Sequence, residues 1–436
     1  MIKDNPKIIR AWTLYDWANS VFPLVITSAI FPNFYDYVTT HDESKKYIGD
    51  QIHAFGGTFQ NQDIFSFVYA FALSIVVLIV PILSGVADYM GNKKKFLKFF
   101  CYLGAFSCMG LYFFNRENIE LSFLPFILAT VGFWGSLVYY NSYLPEIASP
   151  ENQDKVSARG FAMGYFGSSL LLILCLLMIL VLKVPAKYSF LLVGVWWIGF
   201  AQIPFSGLPD TQLTKERSKE NVFTKGFKEL KSVQKDVFSR TKLKRFLMSY
   251  FFYNMGVQTV MVMAVLFARK EITWPDEQTK TSSLIVSILL IQFLGIAGSF
   301  LFSKLSSITD NVKSLGLAIL IWIFICVFTY KFAYLPSHFY FVAAMVGLVM
   351  GGIQSLSRST YSKLLPVTDD SASYFSFYDV VEKLGMIIGT TSFGLISLVS
   401  GGMRNSVLLL IVFFVLGLFL LLQFNRIKNS EHSSEL

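Results

Sequence analysis

The stretch GVADYMGNKKK, from Gly85 to Lys95, decides how the rest of the sequence is interpreted. A long apolar run, residues 64–87, ends here at the acidic residue Asp88, and three lysines follow it. Gly85 and Gly91 permit a close backbone approach and positive φ angles, and the acid can accept hydrogen bonds at a helix end. Lysines suit the headgroup region on the cytoplasmic side of a bilayer. The stretch therefore predicts a tight cytoplasmic turn between two membrane-spanning helices.

The composition indicates that lipid is the main solvent of this chain. Of its 436 residues, 54% are hydrophobic, 17% are aromatic and only 15% are charged, whereas soluble domains carry about a quarter charged residues. The net charge of +9 does not indicate nucleic-acid binding, because the lysines and arginines cluster in alternate loops. Such alternation is a topology signal.

Twelve apolar runs approach the roughly 20 residues that a spanning helix needs. They predict an all-α integral membrane protein with twelve transmembrane helices, which we number as spans in chain order. A polar segment, residues 38–62, is expected to form a small external loop after span 1. No signal-peptide cleavage site follows the first apolar run, so span 1 is expected to be retained. The predicted spans cover residues 8–35, 64–87, 96–114, 121–143, 157 onward, 188–205, 246–268, 282–302, 314–330, 337–356, 371–399 and 406–424.

The middle of the chain predicts a boundary between two six-helix bundles, residues 1–208 and 246–436. The segment between them, 209–245, holds eleven Lys and Arg against five Asp and Glu. It is amphipathic in places, so it is expected to act as a cytoplasmic linker that lies on the membrane surface.

Similar residue spacings in the two halves of the sequence favour a duplicated bundle. The pairs Pro145 with Gly164 and Pro366 with Gly385 share a separation of nineteen residues. Spans 1 and 7 also begin alike, since Arg10, Tyr15 and Asn19 align with Arg245, Tyr250 and Asn254. Together these shared spacings fit pseudo-symmetric parallel repeats.

Loop charge predicts the orientation. With both termini inside, the cytoplasmic segments hold about 26 Lys and Arg and the external ones about 10. This bias follows the positive-inside rule, so we expect a multi-pass protein of a bacterial plasma membrane with cytoplasmic termini.

The motifs of common enzymes are missing. The sequence contains no GxxxxGK[ST], HExxH, CxxC or GxSxG. The four histidines fall in loops or near helix ends, and the four cysteines fall in apolar runs without metal-ligand spacing. We therefore expect no enzyme activity, no cofactor and no metal.

Span 11 contains the strongest candidate for chemistry, FYDVVEK at 377–383. Asp379, Glu382 and Lys383 share one helix face and lie about 12 to 18 Å along the helix. Charges at that depth must pair or face water. One acid can neutralise the lysine and leave the other to bind a proton, which a proton-coupling site requires. The alternative interpretation is a structural ion pair that holds span 11 to its neighbours.

Span 1 carries a further acid, Asp16, with Asn19 on the same face. Asp16 either snorkels to the cytoplasmic edge or faces the same cavity as the cluster in span 11. The predicted polar midplane cavity is lined by Asp16, Asn19, Asn141, Asn254, Gln258, Gln354, Tyr378, Asp379, Glu382 and Lys383.

Five stretches carry a resemblance to a known family. The opening stretch resembles the loop signature of the major facilitator superfamily. YDWANS (15–20), YYNSYLPEIA with RGFAMGYFG (139–148, 159–167) and GGIQSLSRSTYSKLLP (351–366) resemble the "unknown major facilitator" family, which is related to the autophagy-linked vacuolar amino-acid effluxers of fungi. The resemblance implies the major facilitator fold and solute transport, with amino acids as a suggested substrate class.

The resemblance also implies a gate at the cytoplasmic face that ties the two bundles together. The acid of the opening stretch, Asp88, would cap the start of span 11. Two acids there, Asp369 and Asp370, would weaken this attraction, so Arg358 or Lys363 is expected to supply the lock instead. The residues expected to form the gate are Gly85, Asp88, Gly91, Lys93, Glu146, Arg159 and Arg358.

Three functions stay open at this point. The first is a secondary transporter of a small organic solute that works by alternating access, with protons as an expected coupling ion. The second is a lipid translocase of the same fold. The third is a membrane sensor or scaffold that uses the basic linker to bind a partner.

Overall fold

The computed structural model describes residues 3–42, 44, 46–210 and 222–434, with backbone alone at 222, 223 and 426–434. Within this part of the chain, eleven helices are long and apolar enough to cross a bilayer. The elements are α1 (Pro6–Asn19), a π-helix (Phe22–Ile30), α2 (Phe31–Thr40), β1 (Gln51–Ala54), β2 (Gly57–Gln60), α3 (Asn61–Met90), α4 (Lys93–Gly110), a 3-10 turn (Leu111–Phe113), α5 (Ile119–Ser142), α6 (Leu144–Ile147), α7 (Gln153–Leu180), α8 (Tyr188–Gly207), α9 (Val222–Ser239), α10 (Thr241–Glu271), α11 (Glu277–Ile308), α12 (Asn311–Phe332), α13 (Pro336–Leu364), α14 (Ser371–Ser400) and α15 (Met403–Ser434).

The twelfth predicted span, span 1, is interrupted rather than continuous. It consists of α1, the π-helix and α2 in succession. Pro23 lies in the first turn of the π-helix, where the missing N–H breaks the regular α-helical ladder. The hydroxyl groups of Thr27 and Ser28 donate to the Pro23 carbonyl at 2.6 and 2.8 Å. The prediction of twelve spans is confirmed with this change.

The expected external loop contains the sheet of the described structure, a two-stranded hairpin. Strands β1 and β2 pair antiparallel, with Gln51 opposite Gln60. Phe55 and Gly56 connect them with φ angles of 51° and 75°, the positive values that a tight hairpin turn uses. This hairpin is the exception to the predicted all-α structure.

Helices from before and after residue 210 meet along two seams. In the first seam α7 packs against α11 and α13, and in the second α14 packs against α3 and α5. One face of the bundle holds the last turns of α3, α5, α11 and α13 and the first turns of α7 and α14. The same face also holds the turn at Gly91, the loops 148–152, 309–310 and 365–370, and α9. We call it the terminal face, because α1 begins there and α15 ends there.

The predicted linker contains a helix, α9, that packs against the bundle. Its residues Val233 and Val237 are buried. A Cβ added to Gly85 of α3 would lie 2.2 Å from the carbonyl oxygen of Gly226, so the two helices touch where neither has a side chain. Gly85 therefore serves helix packing. Linker residues 211–221 lie outside the described residues.

The end of α9 also reaches α14. The Tyr374 hydroxyl donates to the Asp236 carboxylate, which also accepts from Nε of Arg240 at 2.5 Å. Arg240 beside it lowers the pKa of Asp236. The linker helix is thereby joined to helices on both sides of residue 210.

Candidate functional site: a polar cavity and its closed face

A cavity of about 200 Å³ lies between the two seams. One water needs roughly 10–15 Å³ of such volume, so the cavity can hold a small solute. Helices α1, α5, α7, α10, α11, α13 and α14 contribute to its wall. The structure brings together nine of the ten predicted cavity residues in this wall: Asp16, Asn19, Asn141, Asn254, Gln258, Gln354, Tyr378, Asp379 and Glu382.

The tenth residue, Lys383, is fully buried behind the wall. Its Nζ lies 2.5 Å from Asp379 Oδ1 and 3.4 Å from Glu382 Oε2. The ammonium also lies 3.5 Å from the centre of the Trp134 ring on α5, an arrangement that stabilises a cation. Gln258 donates to the other Glu382 oxygen at 2.6 Å. We call Asp379, Glu382 and Lys383 the acidic cluster; in it two carboxylates share one cation.

Arg358 of α13 lies among residues of α1, α5 and α7. Its guanidinium donates to Ser157 Oγ and to the Ser157 carbonyl, both at 2.9 Å, and to Asn141 Oδ1 at 3.1 Å. It lies 3.4 Å from Oδ2 of Asp16, to which Tyr140 donates at 2.7 Å. The side chains of Arg358 and Asp16 are only 4% and 7% exposed. This is a buried, hydrogen-bonded ion pair that joins the two sides of the cavity, so Asp16 does not snorkel to the surface.

Glycines of α7 create the room for this pair. A Cβ on Gly160 would lie 2.6 Å from Asp16 Oδ2 and 2.9 Å from Arg358 Nη2. Gly164 is equally close to Ser20, with its added Cβ 2.5 Å from Oγ. Helix α1 therefore approaches α7 across a row of glycines, as small-residue spacing in a membrane helix predicts.

Asp88 caps α14 from across the seam. Its carboxylate accepts from the backbone N–H groups of Ala372 at 3.2 Å and Ser373 at 2.7 Å. The N-cap residue of α14, Asp370, makes no capping hydrogen bond of its own. The amides at the start of the helix are thus free to bind a carboxylate from α3. The Asp88 cap therefore forms although Asp369 and Asp370 stand at the start of α14.

Two more polar contacts close the terminal face. Glu146 pairs with Lys93 and accepts from Ser371 Oγ at 2.7 Å. In the other seam, Lys363 donates to Asp154 Oδ2 at 2.8 Å. The predicted alternative locks, Arg358 and Lys363, are therefore present in addition to the Asp88 cap.

Two predicted gate residues remain, Gly91 at the end of α3 and Arg159 on α7. Gly91 ends α3 with φ at 60°, a left-handed conformation that favours glycine. Arg159 is exposed and points away from the buried pair that its neighbour Gly160 touches. We therefore do not assign Arg159 to the gate.

Sequence reasoning missed Asp154, Tyr140 and Trp134. Asp154 accepts from Ser306 and Asn311 as well as from Lys363. It was missed because it lies three residues before the predicted start of span 5 at 157, whereas the helix begins earlier and holds Asp154 in its first turn. The tyrosine and the tryptophan gave no signal among the many aromatic residues of the chain.

Replacement of Asp88 by Asn is expected to open the terminal face. The amide cannot provide the charge-assisted bonds to the α14 backbone, each worth roughly 1.5–3 kcal/mol, which is about a tenfold population change or more. A cysteine at Leu137, in the cavity wall, should then react faster with an impermeant maleimide applied at the terminal face of oriented proteoliposomes.

The matched control for this variant is Asp63→Asn. Asp63 is an exposed acid in the first turn of the same helix, at the opposite face. The native cysteines are all buried, so background labelling is low. An unchanged labelling rate in Asp88→Asn would mean that the cap does not hold this face closed.

Solved structures with the same architecture define the class. The chain superposes on the transporter FucP in its outward conformation with a TM-score of 0.68, at 14% identity, covering 97% of this chain and 99% of FucP. The human organic anion transporter MFSD10 gives a TM-score of 0.69 at 13% identity, covering 96% and 100% of the two chains. At such identities the likeness shows the fold alone, the all-α fold of the major facilitator superfamily.

The family follows from sequence. Residues 4–433 match the family model described as "Vacuole effluxer Atg22 like". The uncharacterized MFS-type transporter YxiO of Bacillus subtilis is 30% identical, covering 97% of this chain and 95% of YxiO. Autophagy-related protein 22 of Vanderwaltozyma polyspora is 26% identical, covering 99% and 94%. The chain belongs to the Atg22-like family of major facilitator transporters. It is thus a multi-pass membrane protein that acts in secondary transport, and not an enzyme.

Proposed function

We propose that the protein carries a small organic solute of the amino-acid class across the membrane by alternating access. In this proposal two six-helix bundles, residues 1–208 and 246–436, move relative to each other about the cavity, joined by the linker 209–245. The observation that carries the proposal is the unequal closure of the two faces.

The terminal face is closed by polar contacts between helices on opposite sides of residue 210. They include the Asp88 cap, the bond from Ser371 to Glu146, and the pair Lys363–Asp154. On the opposite face, one such bond joins helices from before and after residue 210 in the described part of the chain. It runs between two exposed side chains, from Arg269 to Asn33 Oδ1 at 3.1 Å. Such asymmetry is expected of one end state of a two-state carrier.

The acidic cluster supports proton coupling. Lys383 lies within 3.4 Å of both carboxylates but carries a single charge, so it can neutralise only one of them. The other carboxylate is the group that we propose binds a proton. In this proposal, protonation of the cluster accompanies solute movement.

The sidedness of the protein is part of the proposal. Loop charge supports a cytoplasmic terminal face, so the state described here would be open to the outside of a bacterial plasma membrane. A cysteine at Lys225, partly exposed on α9, should react with an impermeant maleimide in inverted membrane vesicles and not in intact cells. Labelling in intact cells alone would reverse the assignment.

Counterflow in proteoliposomes tests the function. Vesicles loaded with an unlabelled amino acid are given a trace of the same radiolabelled compound, and each of the common amino acids is assayed in turn. We expect time-dependent accumulation of label for at least one of them, with none in protein-free vesicles. Transfer of fluorescent lipid without any amino-acid exchange would instead support a lipid translocase.

A further inference from the structure

Two side-chain amide nitrogens in the cavity wall lack hydrogen-bond partners within the described residues. Asn19 on α1 and Asn254 on α10 both line the cavity and are 1% and 4% exposed. Within the described residues, neither Nδ2 atom has a hydrogen-bond partner. Buried donors are nearly always paired, because an unpaired N–H in a medium of low polarity is unfavourable. Their oxygens are engaged only weakly, at 3.5 Å from Ser20 Oγ and Gln258 Nε2. Two unpartnered donors therefore belong to residues of the cavity wall.

The cations near the cavity are already engaged. Arg358 donates to Ser157, Asn141 and Asp16, and Lys383 is fully buried against the carboxylates of its own helix. An anionic group that enters the cavity would therefore have to displace an existing ion pair to reach either cation. The two amides can bind it without that cost.

The donor on α10 lies beside the acidic cluster. Gln258 Nε2 is 3.5 Å from Asn254 Oδ1 and 2.6 Å from Glu382 Oε1, so one side chain contacts both groups. A donor site and an acidic site lie next to each other, as the carboxylate and ammonium groups do in an α-amino acid. Around the cavity three carboxylates, those of Asp16, Asp379 and Glu382, face two cations, which favours an ammonium group at the acidic cluster.

The two asparagines occupy matching positions in the internal repeat. Asn19 follows Arg10 and Tyr15 at the spacing with which Asn254 follows Arg245 and Tyr250. Their helices, α1 and α10, begin the parts of the chain before and after the linker. One donor therefore belongs to each of the two parts of the chain that the proposed function treats as moving, and an acceptor group shared by both donors would join the two parts.

We propose that Asn19 and Asn254 form a subsite that binds the carboxylate of the transported solute, with its ammonium group at the acidic cluster. This assignment rests on the proposed function and gives a polarity to the bound solute. The rest of the wall is largely apolar, with Leu24, Val257 and Ile353 among its members, so valine is a suitable probe.

Binding of three molecules of similar shape tests the subsite. Purified protein binds radiolabelled valine in a scintillation proximity assay, and valine, isobutylamine and isovalerate compete. Asn19→Asp and Asn254→Asp keep the shape of the side chain but replace the donor by a negative charge. We expect each to weaken valine binding at least tenfold and to leave isobutylamine binding unchanged or stronger.

Leucine at either position provides the second variant. Asn19→Leu and Asn254→Leu remove an unpartnered donor, so we expect folding to be retained, as a thermal melting curve would show. Their valine affinity should also fall, while isobutylamine affinity stays within about threefold. A purely structural role would weaken both probes alike.

The outcomes separate this inference from the proposed function. Wild-type binding of valine that survives all four substitutions would overturn the subsite alone. Parallel loss of valine and isobutylamine would do the same. If the wild-type protein bound neither valine nor any other amino acid, the subsite and the proposed substrate class would both be wrong.

Discussion

Replacement of Arg358 by Gln is expected to destabilise the protein by about 3–5 kcal/mol, because it leaves the Asp16 carboxylate buried without its cation. The loss also removes the bonds to Ser157 and Asn141 that join α13 to α5 and α7. Thermal unfolding of the purified variant, followed by tryptophan fluorescence, should show a clearly lower midpoint. Exchange activity should fall with it.

Two further variants make this test specific. Arg159→Gln removes an exposed arginine one residue before Gly160 and should change stability by less than about 0.5 kcal/mol. The double variant Asp16→Asn with Arg358→Gln should be more stable than Arg358→Gln alone, since no unpaired charge remains buried. Equal stability of Arg358→Gln and the wild type would show that the pair does not hold the two sides together.

Replacement of Glu382 by Gln is expected to abolish accumulation driven by a proton gradient. The acidic cluster keeps one carboxylate for Lys383 but loses the second, which the proposal needs for proton binding. Asp379→Asn should have the same result, because Lys383 then takes Glu382 as its partner. Exchange at equal pH and saturating solute should survive at least in part, since it needs no net proton movement.

Glu277→Gln is the matched control for this prediction. Glu277 is exposed and pairs with Lys280 in the first turn of its helix, so the accumulation ratio of Glu277→Gln should equal that of the wild type. Both measurements use radiolabelled solute in proteoliposomes, with and without an imposed pH gradient. Normal accumulation in Glu382→Gln and Asp379→Asn would make the cluster a structural ion pair.

The number of spans and their helical type could be predicted, because each span needs an apolar run long enough to cross the hydrocarbon core of the bilayer. Helix ends could not, because several helices are longer than the apolar runs that predicted them. Helix α13, for example, ends at Leu364, eight residues beyond the predicted end at 356, and carries Arg358 in that extension. A proline inside an apolar run, such as Pro23, indicates a break in the helix, but the π-helical form of this break depends on local hydrogen bonding that the sequence does not reveal.

The cavity residues could be found because polar groups inside spans are rare and costly. Their partners could not, because pairing depends on which helices become neighbours. Asp16 and Arg358 are 342 residues apart, and the sequence assigned one to the cavity and the other to the gate. The structure places both in one ion pair at the junction of the two.

Asp88 caps α14 in spite of the two acids at the start of that helix, for a physical reason. Asp370 stands at the N-cap position, yet its side chain does not bond the helix amides. Those amides remain directed toward α3, and Asp88 reaches two of them. Charge counting alone cannot foresee this, because the direction of a side chain decides whether a nearby acid competes.

Alternating access is tested most directly by spin-label distances measured on both faces of the same protein. One pair, at Lys95 and Val367, would span the terminal face, and the other, at Leu121 and Leu398, would span the opposite face; all four side chains are exposed. When an exchanging amino acid is added and the pH is lowered, the first distance should lengthen while the second shortens. Distances that both stay constant, or that change in the same direction, would contradict transport by this mechanism.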